Sequence, residues 1–119
     1  MPQNGVMGSR DAPVIEVSSG VLPGAIVRLS VIGELDRDTV QRLEAAVADA
    51  VEREDVNGLL VDFAGVTFCD SSGIAALDRA YALATQRSLP FRLSNIQPSV
   101  ERVLDIVGLL DILTGKHQQ

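Results

Sequence analysis

Cysteine occurs once in these 119 residues, at Cys69, so no disulfide can close within the chain and the fold must hold without a covalent staple. Tryptophan is absent, and only Tyr81 and three Phe supply aromatic rings, so any core must be assembled from Val, Leu, Ile and Ala. The sole histidine, His117, stands in the polar C-terminal end, which leaves no His/Cys cluster at metal-ligand spacing. Basic residues are outnumbered 10 to 16, for a net charge of -6. That balance argues against nonspecific nucleic-acid binding, where Lys and Arg must displace counterions from phosphates, and against an anionic membrane surface. No run of 18 apolar residues is available for a transmembrane helix. Met1-Pro2-Gln3-Asn4-Gly5 lacks the basic start and apolar stretch of a secretory signal. With a single thiol, these absences point to the cytoplasm. Walker A and G-x-G-x-x-G strings are also missing, so no bound cofactor is expected on the chain.

What is present suits one compact domain. A chain of this length buries roughly two-thirds of the surface that it exposes when unfolded. Residues 1–12, rich in Gly, Pro, Ser and Asn and without periodicity, read as a floppy tail. Residues 13–115 form the domain, and 116–119 a polar exit. Val14-Ile15-Glu16-Val17 is a first strand, Gly20 to Gly24 a turn, and Ala25 to Ile32 a second strand, together an antiparallel hairpin. Asp38, with Gln41 three positions on, has capping-box spacing, and Val40, Leu43, Val47, Ala50 and Val51 then fall on one helical face running to about Arg53.

Asn57-Gly58 turns into a nearly all-apolar strand, Leu59 to Phe63, as a central strand requires. A second helix after Asp70 carries Ile74, Leu77, Tyr81 and Ala84. Pro90 to Leu93 is a short fourth strand. Pro98 opens a third helix with Val100, Val103, Leu104 and Val107 on its face, and Gly108 ends it. Leu109 to Leu113 reads as a last short strand or turn. The expected fold is therefore a single-domain α/β mixed sheet of four to five strands, with an antiparallel opening hairpin and the remainder parallel through right-handed crossovers, packed with three to four helices.

Sites in open α/β sheets form at the carboxyl ends of strands. Two segments converge there: Gly33-Glu34-Leu35-Asp36 and Phe68-Cys69-Asp70-Ser71-Ser72-Gly73. Asp70 or Ser71 can cap the following helix, which puts Ser72 in its first turn, where unpaired N–H groups and the helix dipole tolerate an anion. Gly73 lacks a side chain and would let a partner's backbone approach closely. Taken alone, Asp70-Ser71-Ser72-Gly73 is an ordinary helix cap, and Asp36 and Asp38 are ordinary carboxylates at a helix start.

Their combination is more specific. Gly33-Glu34-Leu35-Asp36, then Leu60 through Ile74, then Pro98-Ser99-Val100 to Val107-Gly108-Leu109 closely resemble the STAS domain family, particularly its anti-sigma factor antagonists, over residues 14–113. The resemblance implies that Ser72 is a phosphoacceptor, that Asp70 and Ser71 are its neighbours, and that Asp36 is an acidic residue beside it. It further implies a partner: an anti-sigma factor that is also a serine kinase of the histidine-kinase ATPase type, bound through Asp36, Asp70, Ser71, Ser72 and Gly73. That kinase would carry the ATP and Mg²⁺, and a serine phosphatase would reset the cycle. Two departures stand out. Arg87-Ser88 occupies a turn where many relatives carry glycine. Cys69 replaces a usual aliphatic residue; a buried structural thiol is the reading favoured over a redox switch, since the chain holds no second cysteine.

Two other readings compete. A serine hydrolase would need a general base beside its nucleophile, and neither a second histidine nor the G-x-S-x-G elbow is present. A STAS-like scaffold subunit of a stress-signalling or transport complex fits the same residues, and its partners would tell it apart.

Overall fold

The computed structural model describes residues 15–116. The expected tail over residues 1–12, residues 13 and 14 at the start of the expected domain and first strand, and the last three residues of the polar exit, His117 among them, lie outside the described residues. The chain runs β1 (Ile15–Leu22), β2 (Ile26–Leu35), α1 (Val40–Val51), β3 (Gly58–Cys69), α2 (Ser71–Gln86), β4 (Phe91–Ser94), α3 (Pro98–Ile106) and α4 (Leu110–Thr114). The sheet has the order β1-β2-β3-β4, with β1 antiparallel to β2 and the remaining pairs parallel.

Alternation along the strands sets the two faces of this sheet. Val27 and Leu29 of β2 register with Leu59 and Val61 of β3, and these with Phe91 and Leu93 of β4; all are buried, as is Val31 further along β2. Residues between them, Arg28, Ser30, Leu60, Asp62, Arg92 and Ser94, occupy the opposite face. Aliphatic side chains dominate the core, as the shortage of aromatics requires; Tyr81 meets Phe91 edge-on, with ring centroids 5.9 Å apart.

Several sequence expectations are corrected. Leu109 to Leu113 is neither strand nor turn: Gly108 reverses the chain at φ 82° and a short helix, α4, follows. Its Leu113 is fully buried, and Leu109 and Leu110 pack half-buried at the i−4 and i−3 positions, a helical spacing that a strand would have split between two faces. The opening turn is narrower than Gly20 to Gly24, because pairing continues to Leu22 opposite Ile26, leaving only Pro23-Gly24-Ala25 to turn. β3 extends well past Phe63 to Cys69, carried by continued pairing with β2 through two register shifts. On α2 the buried line is Gly73, Ala76, Leu77, Ala80 and Ala84, so Ile74 and Tyr81 lie at its margin. Val107 lies off the buried face of α3 and is half exposed.

Asp38 does not cap α1. The cap position is Thr39, and no side chain closes it. Thr39 is instead 3% exposed, with its hydroxyl donating to the Glu34 carbonyl at 2.8 Å and accepting from the Asp36 N–H at 2.9 Å. A buried hydroxyl must find such partners, and here they clamp the β2–α1 turn to the end of its own strand.

Candidate functional site

The extended end of β3 brings both sequence segments together. Leu35 registers with Cys69, and the Asp70 N–H donates to the Leu35 carbonyl at 3.2 Å, so Asp36 and Asp70 leave adjacent parallel strands side by side. Asp70 then caps α2: its Oδ1 accepts from the Ser72 N–H at 2.9 Å and the Gly73 N–H at 3.2 Å. Of the two cap candidates, Asp70 holds the position and Ser71 is the first helical residue. On the neighbouring turn, Asp36 Oδ1 accepts from the Asp38 N–H at 2.9 Å.

The result is a shallow, open concavity lined by Asp36, Arg37, Asp38, Asp70 and Ser72. Ser72 lies half-buried at its wall and Ser71 is exposed beside it. Phe68 adds an apolar surface nearby, at 48% exposure, two residues before Asp70. Phe68 opens the second of the two segments expected to converge here, whereas Arg37 was missed in the sequence. Nothing in the local pattern distinguishes an exposed Arg in a turn from any other, and only the pairing of the strand ends sets Arg37 in one concavity with Ser72.

Gly73 has a different place from the one expected. It is buried, and a Cβ on it would stand 2.6 Å from the Cys69 Sγ, 3.0 Å from the Leu35 Cγ and 3.0 Å from the Leu35 carbonyl oxygen. Its missing side chain lets α2 close onto β2 and β3, turning inward and away from any visitor. Cys69 is 7% exposed, and burial, with the neighbouring Asp70 charge, pushes its thiol up to about 12. A thiol held neutral in this way is a poor nucleophile, which agrees with a structural role. Ser88, in the turn where glycine was noted as usual, adopts a left-handed φ of 58°. Among the described residues, no group of three or more His, Cys, Asp or Glu side chains could hold a metal ion, and no helix is long and apolar enough to cross a membrane.

An antiparallel opening hairpin continued by parallel strands and flanked by helices is a STAS-like fold, and comparison with known proteins identifies it. The STAS domain family matches residues 12–118. An anti-sigma F factor antagonist from Paenibacillus polymyxa is 32% identical over 99 residues, 83% of this chain and 80% of the relative. Among solved structures, an anti-sigma factor antagonist from Mycobacterium paratuberculosis is 27% identical, with a TM-score of 0.74 over 87% of this chain and 86% of that one. The antagonist SpoIIAA in its unphosphorylated form is 23% identical (TM-score 0.69, 80% and 83% covered). The phosphorylated Bacillus SpoIIAA is 22% identical (TM-score 0.64, 79% and 85% covered). The chain belongs to the STAS domain family and sits with its anti-sigma factor antagonists.

Proposed function

We propose that this chain acts by partner switching: its unphosphorylated form docks an anti-sigma factor serine kinase of the histidine-kinase ATPase type, freeing a sigma factor, and phosphorylation of Ser72 ends the contact. The observation that carries the reading is the position of Ser72, on the wall of an open concavity whose other lining residues include three carboxylates. Asp36, Asp70, Ser71 and Ser72 would meet the partner, with Gly73 serving from beneath. The kinase would bring ATP and Mg²⁺, a serine phosphatase would restore the hydroxyl, and the cycle would run in the cytoplasm.

Release follows from charge. A phosphate adds about -1.5 to -2 charges at neutral pH. It would enter a space already edged by Asp36, Asp38 and Asp70. A partner surface fitted to a neutral hydroxyl would then face concentrated negative charge, at a cost of several kcal/mol, where each ~1.4 kcal/mol is tenfold in affinity. Phosphate on Ser72 need not unravel α2, because a negative charge in a first helical turn is favourable to the dipole.

Incubation with ATP and each ATPase-type anti-sigma kinase of the same genome, followed by mass mapping, tests this. The expected result is one modified peptide containing Ser72, absent in Ser72→Ala, with Ser72→Ala retaining kinase binding. Modification of Ser72→Ala at the normal rate, or no kinase binding by the unmodified protein, would overturn it.

A further inference from the structure

Among the described residues that line the concavity Arg37 is the one cation, set with Asp36, Asp38, Asp70 and Ser72. Despite those carboxylates it forms no ion pair among the described residues, whereas Arg28, Arg53, Arg79 and Arg87 each do. Part of the reason is visible. Asp70 turns Oδ1 toward the N–H groups of Ser72 and Gly73, and Asp36 turns Oδ1 toward that of Asp38. Both acids are thus oriented by the backbone rather than by the guanidinium. The turn that carries Arg37 is itself clamped at both ends by the buried Thr39 hydroxyl. An exposed guanidinium on a fixed turn therefore shares a small concavity with a hydroxyl.

We infer that Arg37 is the intramolecular partner of a phosphate on Ser72, a positioning residue that holds the dianion inside the concavity. This rests on the reading of Ser72 as phosphoacceptor. Guanidinium donors match phosphate oxygens in a two-pronged geometry that a backbone-held carboxylate does not offer them here. A dianion is also a stronger magnet for one cation than any single carboxylate beside it. The pair would offset part of the repulsion from Asp36, Asp38 and Asp70, so that the phosphorylated protein stays folded while its docking surface carries excess negative charge. It would also set how readily a phosphatase can lift the phosphate out.

The test uses the full chain with phosphoserine installed at position 72 during translation, so no kinase is needed. ³¹P NMR titration then reads the second phosphate pKa, ordinarily about 6. Pairing with Arg37 favours the dianion and lowers that pKa; the three carboxylates raise it alike in every variant. In Arg37→Gln the pKa should rise by roughly 0.7 unit, the effect of one charge about 4 Å away in a water-like medium. Arg37→Lys should keep most of the lowering. Unphosphorylated Arg37→Gln should melt with the parent chain, since the side chain is exposed. An unchanged pKa in Arg37→Gln, or an equal rise in Arg37→Lys, overturns the inference. A failed kinase assay would sink the partner-switching proposal while leaving this measurement to stand or fall by itself.

Discussion

Gly73 and Cys69 share one small volume where α2 meets the ends of β2 and β3. Alanine is the better helix former by up to ~1 kcal/mol, but a methyl at position 73 would have to displace both Cys69 Sγ and Leu35. Overpacking of this kind costs about 1–3 kcal/mol, so the clash outweighs the propensity. Gly73→Ala should therefore lower the urea midpoint, and the loss should shrink when Cys69→Ala removes the sulfur. Equal losses in both backgrounds would disprove the stated cause. The thiol itself should be inert. With its pKa pushed from 9.0 to about 12, its thiolate fraction at pH 8 is about a thousandfold below that of an ordinary cysteine. Alkylation of native protein at pH 8 should be slow and should accelerate sharply in denaturant; rapid reaction of the folded state would contradict the burial. The places of Asp70, at the cap of α2, and of Ser72, in its first turn, could be read from the sequence because an Asp-Ser-Ser-Gly string at a strand–helix junction suits a helix cap. The role of Gly73 could not, since it is decided by Leu35, which lies across from it on β2.

At the scale of elements, an ion pair ties the exposed face of the sheet together. Asp62 on β3 accepts from Arg28 on β2 at 2.6 Å, from the Ala64 N–H at 2.9 Å, and from Asn95 after β4 at 3.3 Å. Burial alone would raise the Asp62 carboxyl, yet the Ala64 N–H, Arg28 and Asn95 together hold it below its ordinary value. A carboxylate with a depressed folded pKa contributes stability above its unfolded pKa and loses it as pH falls through the folded one. Asp62→Asn should therefore cost about 1–3 kcal/mol at pH 7, where Arg28 keeps one flank in water and limits the loss. The difference from the parent should narrow below pH 4. A pH-independent difference would show that the carboxylate charge does not matter. The sequence pattern found β3 from its apolar run but stopped at Phe63, because the unbroken run of large apolar residues ends there at Ala64-Gly65. In the sheet Gly65 is a point of close approach, where a Cβ would lie 2.8 Å from the Ile32 side chain.

Over the whole molecule, the buried residues of the sheet and of all four helices form one cluster, from Ile15 to Leu113. A single core of this size should melt as one unit. Tyr81 is the sole strong fluorophore, packed against Phe91, and it reports the α2–β4 contact, whereas far-ultraviolet circular dichroism reports all the helices. Urea transitions followed by the two signals should coincide. Separate midpoints would mean that α3 and α4 open independently of the rest.

Local pattern by itself determined the order of strands and helices as far as α3, the buried face of α1, and Asp70-Ser71-Ser72-Gly73 as a helix-opening segment. These depend on neighbours within one or two turns of chain, where periodicity and capping chemistry act. The folded structure alone decided that Leu110–Thr114 is helical, that Thr39 rather than Asp38 anchors the turn after β2, and that Arg37 shares an acidic hollow with Ser72. The first depends on burying Leu113 in the common core and the second on a buried hydroxyl finding partners at the end of its own strand. The third depends on the register of β2 against β3, which joins residues more than thirty positions apart, and no local rule carries that information.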